Sequence, residues 1–497
     1  MSSFADWVPM KWPCGPLEIE LRQKQAPLDD PLRASLNSWL NPSTLDLIEK
    51  TPVNCLILRW AAGVPQDQEQ QANLKPLLTK GRELGISFVG IIEGSANQET
   101  ALGKAMEAGL SAVLMPGGTR LASKIPIFET YGRSTLSSKL TSPLLACEDA
   151  IWPRLRSNVM AQSDTIVAGP TGVPWVDSNG WYIQLTRTLT HDKPLWLMFD
   201  PPRTTAGFHV ESYLLALADT RSHGAHWTLS LDDPLRSELA NRNSAALAKW
   251  KSITEALKFF QSRQEWNGFS PKSVLAVFSD FSGSNEFLGG EVLNLLGRRQ
   301  VAFSIVEKKL GAPAALEGMK AVLWVDQEPP NKEESEHFLG FVEKGGLLII
   351  PKTWGKIPAK VLDTELDGHY EIFGLGKGRV AMATSETEDP YELAERTHLL
   401  LSRRNDLFRL WNAGSFNSYL TTSTAKKKTL LQLINYAGRN SDDRLSIWVR
   451  GNYSHSQVWT PGCVRPTVLN GVSTQEGQEF HLPPIDYYVA IEMDNLI

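Results

Sequence analysis

Acidic residues recur near the ends of the apolar, strand-like runs in the first half of the chain. Glu129, Glu148 and Asp200 each stand near the end of a different run. Two carboxyl groups brought together, one protonated as a proton donor and one ionised as a nucleophile or base, can cleave a glycosidic bond. The sequence therefore predicts carboxylate chemistry, with Glu129, Asp200 and Glu148 as the catalytic candidates.

Two pairings of these acids are open from the sequence. Glu129 could face Asp200 across a sugar ring, or Glu148 could pair with Glu129, because repulsion between like charges raises one pKa and creates a proton donor. A separation of about 5 to 5.5 Å between the two carboxyl groups predicts retention of the anomeric configuration, and about 6.5 to 9.5 Å predicts inversion. The sequence does not choose between these alternatives.

Polar and aromatic residues near the same run ends are candidates for binding substrate. The chain contains 16 Trp residues, and a flat aromatic face can bury the apolar face of a sugar ring while polar neighbours bind its hydroxyls. The predicted substrate-binding residues are Arg59, Trp60, Glu93, Trp152, Trp175, Asp177, Asn179 and Asp232. Structural roles stay open for several of them, since Trp is also a large core residue and Asp177 or Ser178 could cap the following helix. Asp233 is assigned to a helix cap.

Eight apolar runs alternate with amphipathic helical patterns between residues 53 and 233. The runs are VNCLILRW (53–60), SFVGIIE (87–93), SAVLM (111–115), PIFETY (126–131), PLLACED (143–149), DTIVAG (164–169), PLWLMFD (194–200) and HWTLSLDD (226–233). Such alternation indicates parallel strands buried on both faces. Eight units predict a (β/α)8 barrel, because the first turn, WAAGVPQDQ, lacks the GxGxxG of a dinucleotide-binding sheet. The carboxyl ends of barrel strands form one face, which would gather the acids.

The second half of the sequence predicts two further domains. After a helix at 244–262, strand-like runs such as SVLAVFSD, AVLWVD and LLIIP alternate with helices, and beyond about residue 413 the apolar residues follow period two. We expect a barrel with an N-terminal extension and a linker helix (1–262), a flavodoxin- or amidotransferase-like α/β domain (263–412) and a C-terminal antiparallel β-sandwich (413–497). No Cys lies between 273 and 385, so an amidotransferase nucleophile is excluded.

This order of parts, with the segments FLGFVEKGGLLIIP (338–351), GLGKGRVAMA (374–383) and LLQLINYAG (430–438), resembles the β-galactosidases of glycoside hydrolase family 42. The resemblance implies a glycosidase acting on a β-linked oligosaccharide or glycoside, and a homo-oligomer, in that family a trimer. It also implies a general acid at the end of strand four and a nucleophile at the end of strand seven. Glu129 and Asp200 take those positions, but Phe128 stands where the family has Asn, and Asp200 stands where it has Glu.

Composition excludes several other classes of function. Fifty Lys and Arg against 55 Asp and Glu give a net charge of -5, which offers no field for nucleic acid or an anionic membrane. The histidines show no HxH or HExxH spacing and the four Cys residues no CxxC spacing, so neither a metal nor a cofactor is expected. The N-terminal residues do not look like a signal peptide, which predicts a cytoplasmic protein if this start is native and a periplasmic or secreted one if a leader was removed.

A second interpretation is a barrel of the same fold that has lost catalysis. Such a protein would bind carbohydrate or organise an assembly. The missing Asn and the Asp at strand seven favour this alternative, whereas the several acids and Trp residues at the run ends favour the enzyme.

Overall fold

The computed structural model describes two compact units. Unit 1 comprises Met1–Pro153 and Thr190–Gln264, and unit 2 comprises Arg154–Leu189 and Glu265–Ile497. The described residues are 4–25, 27–117, 121–136, 139–156, 159–162, 165–168, 175–203, 207–308, 316–385, 389–437 and 444–496. Residues 154–189, which were expected within the barrel, are therefore grouped with the C-terminal half of the chain.

Unit 1 is an eight-stranded parallel barrel. Its first six strands are β1 (Pro9–Lys11), β2 (Cys55–Ala61), β3 (Ser87–Ile92), β4 (Ala112–Pro116), β5 (Ile127–Tyr131) and β6 (Leu145–Cys147). The chain then forms four strands of unit 2, which are β7 (Arg154–Arg156), β8 (Val159–Gln162), β9 (Thr165–Ala168) and β10 (Trp175–Asp177), before β11 (Leu195–Leu197) and β12 (His226–Trp227) complete the barrel. The order is β1-β2-β3-β4-β5-β6-β11-β12, and a parallel bridge from Met10 to Leu229 returns the sheet to its first strand. The predicted barrel fold is confirmed.

The structure corrects the identity of one barrel strand. The run 164–169 was predicted as the sixth strand, but Thr165–Ala168 pairs antiparallel with β8 in unit 2, and residues 164 and 169 lie outside the described residues. The strand that the prediction missed is β1, whose three residues are too few to show a period. A short apolar run also does not reveal whether its partner is parallel or antiparallel. Glu129 therefore lies on the fifth barrel strand and Glu148 follows the sixth, while Asp200 still follows the seventh.

Helices cover the barrel unevenly. The helices of the first 264 residues are α1 (Gly15–Gln25), α2 (Asp30–Ser38), α3 (Gln66–Glu83), α4 (Gln98–Glu107), α5 (Gly180–Thr190, almost wholly in unit 2), α6 (Val210–Ser222), α7 (Asp233–Ala240) and α8 (Ser244–Gln261). Within the described part of unit 1, no α-helix follows β4, β5 or β6. No described helix combines the length and apolar character needed to cross a bilayer.

Aromatic rings fill the centre of the barrel. Trp7, Phe128 and Trp196 form a triangle with ring centroids 5.8 to 6.3 Å apart, inside a buried cluster that takes residues from β2 to β6 and β11. Successive side chains of a strand point to opposite faces. Because Phe128 and Trp196 face the interior, Thr130 and Met198 face it as well, one layer nearer the carboxyl end.

Unit 2 contains a seven-stranded sheet with helices α9 (Asn285–Arg298), α10 (Lys332–Glu343) and α11 (Pro390–Leu401). After β13 (Ser270–Pro271), its strands are β14 (Leu275–Ser279), β15 (Phe303–Glu307), β16 (Ala321–Trp324), β17 (Leu347–Ile350), β18 (Val361–Glu365), β19 (Tyr370–Leu375) and β20 (Gly378–Ala383). The order is β15-β14-β16-β17-β20-β19-β18, and the first five are parallel. This is the flavodoxin-like order with an antiparallel extension.

The last part of unit 2 is antiparallel. Its strands are β21 (Phe408–Trp411), β22 (Phe416–Ser423), β23 (Lys428–Asn435), β24 (Leu445–Arg450), β25 (Tyr453–Trp459), β26 (Thr467–Val468), β27 (Val472–Ser473), β28 (Gly477–Leu482) and β29 (Tyr488–Asn495). They form the sheets β13-β22-β23-β29-β25-β26 and β21-β24-β28-β27. These are the sandwich-type sheets that the sequence predicted, while the boundary at residue 412 stays a prediction.

A buried histidine at the start of β12 should make unit 1 sensitive to acid. Nη1 of Arg221 lies 2.7 Å from Nε2 of His226, and burial together with the Arg221 charge lowers the pKa of His226 well below 6.5. The folded protein therefore binds fewer protons at this site than the unfolded chain, and the stability that neutral His226 contributes above pH 6.5 is lost as the pH falls.

We expect His226→Gln to reduce the fall in thermal midpoint between about pH 7.5 and 5, measured by circular dichroism. His455→Gln, at an exposed position on β25, is the matched control and should leave that fall unchanged. Equal pH dependence in the wild type and His226→Gln would contradict the assignment.

Candidate active site at the carboxyl end of the barrel

Two cavities open at the carboxyl ends of the barrel strands. One, of about 450 Å³, is lined by Lys11, Arg59, Glu93, Thr130, Glu148 and Met198, among others. The second, of about 610 Å³, is lined by α1, the start of α2 and the segments that follow β11 and β12, and it includes Arg59, Asp200 and Ser230. We call the two together the mouth. It is the face on which barrel enzymes carry their reacting groups.

Asp200 lies in the mouth as an ionised carboxylate. Its Oδ1 accepts hydrogen bonds from Lys11 Nζ at 2.8 Å and from Ser230 Oγ at 2.7 Å, and the side chain remains 63% exposed. Partial desolvation raises its pKa, but the charge and hydrogen bond of Lys11, the hydrogen bond of Ser230 and the charge of Arg59 outweigh that effect and lower the pKa to about 2. Asp200 is therefore able to act as a base or nucleophile at any ordinary pH.

Glu148 is shifted in the opposite direction. Desolvation raises the pKa of Glu148 above 4.5, aided by the nearby charge of Asp149, although Lys11, Arg59 and a hydrogen bond with Thr130 oppose the rise. Its strand, β6, is the direct neighbour of β11, which precedes Asp200. Two carboxyl groups on adjacent strands thus favour different protonation states, which is how acid and base roles are divided in carboxylate catalysis.

A chain of alternating charges holds α1 against the mouth. Glu18 accepts hydrogen bonds from Arg22 Nε at 2.7 Å and from Arg59 Nε at 2.9 Å, and Arg59 also pairs with Glu93. Arg22 continues the chain to Asp233 at the start of α7. Glu18 is buried, and although burial raises its pKa, the charges of Arg59 and Arg22 bring the pKa below 4.5. Arg59 and Glu93, both predicted to bind substrate, therefore lie in the mouth as members of this chain.

The structure does not bring Glu129 together with Glu148 and Asp200. Phe128 and Thr130 face the barrel interior, so Glu129 between them points to the outer face of β5. There its Oε2 accepts hydrogen bonds from the backbone N–H groups of Thr141 and Ser142, each at 3.0 Å. The sequence run that contains Glu129 is a barrel strand, although it is the fifth and not the fourth. The run did not reveal the face, because the pleat decides which side chain enters the mouth.

Trp60 and Trp152 also lie outside the cavities. Trp60 is 1% exposed and its indole N–H donates to the carbonyl of Ala101 in α4, so it packs between the barrel and a helix. Trp152 packs edge-on against Phe208, Tyr213 and Trp227, and its indole donates to the backbone carbonyl of Asp200 at 3.1 Å. Trp152 therefore holds the segment that carries Asp200.

Asp232 and Asp233 exchange the roles that the sequence suggested. Asp232, not Asp233, caps α7, because its Oδ1 accepts from the N–H of Leu235 and its Oδ2 from the hydroxyl of Tyr213. Asp232 is 4% exposed and still borders the larger cavity. Asp233 pairs with Arg22 and Arg236 instead. In a helix that begins Asp-Asp-Pro, either Asp side chain can accept a hydrogen bond from the backbone N–H groups of the first turn. The sequence alone therefore could not choose between Asp232 and Asp233.

The candidates of the loop 169–181 belong to unit 2. Trp175 begins β10, Asp177 accepts from Arg154 Nε at 3.0 Å, and Asn179 is fully buried at the start of α5. None of the three is among the residues that line the described cavities of the mouth. The helix begins at Gly180, and the N–H of Ile183 donates to the carbonyl of Asn179, so Asn179 stands at the helix start in place of the expected Asp177 or Ser178. The hydroxyl of Ser178 donates to Asn294 instead.

Sequence reasoning missed Lys11, Glu18, Thr130 and Ser230. Lys11 was hidden because its strand was not recognised, and Glu18 because the helix α1 that carries it precedes the first predicted run. Thr130 could have been found from the pleat, since it lies two residues from the inward-facing Phe128. Ser230 lies beyond the end of β12, where the pleat gives no guide. Among the described residues, no group of three or more His, Cys, Asp or Glu side chains is placed to hold a metal ion.

Comparisons with known proteins reveal likeness of fold. An alpha-L-fucosidase isoenzyme 2 from Paenibacillus thiaminolyticus is 8% identical with a TM-score of 0.59, over 93% of this chain and 96% of that one. A beta-galactosidase from Rahnella sp. R3 is 10% identical with a TM-score of 0.57, over 99% of each chain. A GH42 beta-galactosidase from G. stearothermophilus is 9% identical with a TM-score of 0.52, over 98% of each chain. No family model matches the sequence, and no curated protein matches it either.

The outer-face position of Glu129 predicts a structural role. Glu129→Ala would leave two backbone N–H groups without their acceptor, so we expect the free energy of unfolding in urea to fall by about 1 to 3 kcal/mol. Glu148→Ala, the matched change at the exposed mouth, should alter it by less than about 0.5 kcal/mol. A larger loss for Glu148→Ala than for Glu129→Ala would contradict this division of roles.

Proposed function

We propose that the protein is a glycoside hydrolase acting on a β-linked glycoside or oligosaccharide, with Glu148 as general acid and Asp200 as nucleophile or base. The observation that carries the proposal is the pair of carboxyl groups on adjacent barrel strands with opposite pKa shifts. The solved structures of similar fold include enzymes named as beta-galactosidase and alpha-L-fucosidase. That likeness supports hydrolysis of a glycosidic bond as the class of reaction, but it does not identify the sugar of the substrate.

The proposed mechanism divides the work between the two carboxyl groups. Glu148 donates its proton to the oxygen of the leaving group as the bond to the anomeric carbon breaks. Asp200 either attacks the anomeric carbon to form a glycosyl ester, which water then cleaves as Glu148 takes the proton of that water, or it removes a proton from a water molecule that attacks directly. Lys11 and Ser230 are positioning residues in this scheme, since they hold Asp200 ionised and fix its orientation. Trp152 fixes the backbone at the same point.

A second candidate function is carbohydrate binding or assembly without catalysis. Two observations favour it, and the first is that the ion pair with Lys11 engages the carboxylate that the reaction needs. A strand-four acid, as the resemblance implied, is also absent from the described residues, since β4 ends at Pro116 and Gly117 follows. The homo-oligomer implied by the resemblance belongs with either function, and light scattering at micromolar concentration would test it. Sugar binding without turnover across a broad panel of glycosides would favour this second candidate.

The role of Glu148 predicts a dependence on the leaving group. Glu148→Gln should lower the rate on alkyl glycosides by about 10²- to 10⁴-fold, whereas glycosides of dinitrophenol, which need little protonation, should lose far less. Asp200→Asn should slow both substrates to a similar extent, because attack is needed whatever group leaves. Initial rates with the two substrates measure the contrast, and Glu129→Gln is the matched control that should stay near the wild type. A uniform effect of Glu148→Gln would count against its role as the acid.

The pKa shifts predict the pH dependence of kcat/KM. The active form has Asp200 ionised and Glu148 protonated, so activity should rise as Asp200 ionises at about pH 2 and fall as Glu148 ionises above pH 4.5. Lys11 lowers the pKa of both groups, so Lys11→Met should move both limbs of the profile to higher pH. The measurement is kcat/KM against pH over the range in which each variant stays folded. Limbs that do not move in Lys11→Met would contradict the assignment.

A further inference from the structure

The larger cavity of the mouth differs chemically from the smaller one. Apolar atoms make up most of its exposed lining, and nine of its 20 lining residues are leucine or proline, while the other eleven are polar or charged. The apolar lining residues that carry the argument are Leu21, Leu28, Leu32, Pro201, Pro202 and Pro234. Its volume of about 610 Å³ lies within the range of small-molecule sites, roughly 300 to 1,000 Å³.

The cavity lacks the aromatic surface that a sugar ring prefers. None of the described residues that line it is Trp, Tyr or Phe. Stacking on an aromatic face is the usual way to bury the apolar side of a pyranose, and aliphatic walls do not supply it. A second sugar unit would therefore find no platform in this space.

Several polar groups at the border of the cavity already have protein partners. Asp29 caps α2 by accepting from Leu32 N–H, and Gln25 accepts from Arg203 Nη2 at 2.6 Å. Asp232 is bound by Tyr213 and by the first turn of α7. Hydroxyl groups entering here would have to displace these bonds, whereas an apolar group would only displace water from apolar walls.

The cavity is continuous with the reacting carboxylate. Asp200 and Arg59 line it, and Arg59 also lines the smaller cavity that contains Glu148. A group that occupies the larger cavity is therefore within reach of the same bond on which Asp200 acts.

We propose that this cavity binds an aryl or alkyl group of the glycoside, so that the substrate class is a glycoside with an apolar substituent instead of a chain of sugars. This inference rests on the proposed function for its connection to catalysis. The binding itself depends only on the cavity, so the two can be tested separately.

Titration calorimetry with thioglycosides, which resist hydrolysis, tests the binding. We expect n-hexyl 1-thio-β-glucoside or -galactoside to bind more tightly than the methyl analogue, by about threefold to fourfold for each methylene that is buried. Leu28→Asp places a charge in the cavity and should remove most of the preference for the hexyl thioglycoside. Its affinity for the methyl thioglycoside should stay within about threefold of the wild-type value. Leu28→Trp fills the space without charge and should do the same. Leu362→Asp, at a 68% exposed position on β18 of unit 2, is the matched control.

The outcomes separate the two proposals. Equal affinity of the wild type for hexyl and methyl thioglycosides would overturn the inference, as would tighter binding of a thio-linked disaccharide that Leu28→Asp abolishes. A hexyl preference without turnover of any O-glycoside would uphold the cavity and refute the glycosidase. Turnover of O-glycosides without a preference for the hexyl thioglycoside would uphold the glycosidase and refute the proposed binding in the cavity.

Discussion

The architecture of unit 1 depends on closure of the barrel by a strand of only three residues. β1 pairs with β2 on one side, and its Met10 bridges to Leu229 on the other. The last residue of this strand is Lys11, whose ammonium group reaches Asp200 beyond the seventh strand. The same three residues thus complete the hydrogen-bonded ring and supply the cation that keeps Asp200 ionised. The pairing of β1 with its two neighbours therefore determines both the closure of the barrel and the charge beside Asp200.

Periodicity in the sequence predicted that strands and helices alternate to form a barrel. It did not predict which eight strands form the barrel or which side chains face its interior. Seven of the eight predicted runs belong to the barrel, because long alternation of apolar and helical segments is a strong signal. β1 was invisible, since three residues show no period. Trp60 and Glu129 point away from the interior because each lies next to an inward-facing residue on a pleated strand. Because the sequence did not reveal β1, it also did not reveal the strand register that separates inward-facing from outward-facing side chains.

The charges of the mouth act as a group more than as separate pairs. Isolated ion pairs at an exposed surface contribute little, typically about 0 to 1 kcal/mol. Glu18, in contrast, is buried between Arg22 and Arg59, and removal of either arginine would leave a buried carboxylate with half of its partners. The chain from Asp233 to Glu93 therefore ties α1 and α7 to the ends of β2 and β3. It also leaves these cations little freedom to turn toward an acidic ligand.

The division of the chain has a consequence for the order in which the protein can assemble during synthesis. Every residue of unit 1 has been made once the ribosome passes Gln264. Residues 154–189, which are made earlier, belong to unit 2 and cannot complete their own contacts until Glu265–Ile497 follow. The barrel can therefore form on the nascent chain while the segment between β6 and β11 still lacks the rest of unit 2. During that interval the antiparallel pairs β8–β9 and β7–β10 can form, because both strands of each pair lie within residues 154–189 and need no later residue.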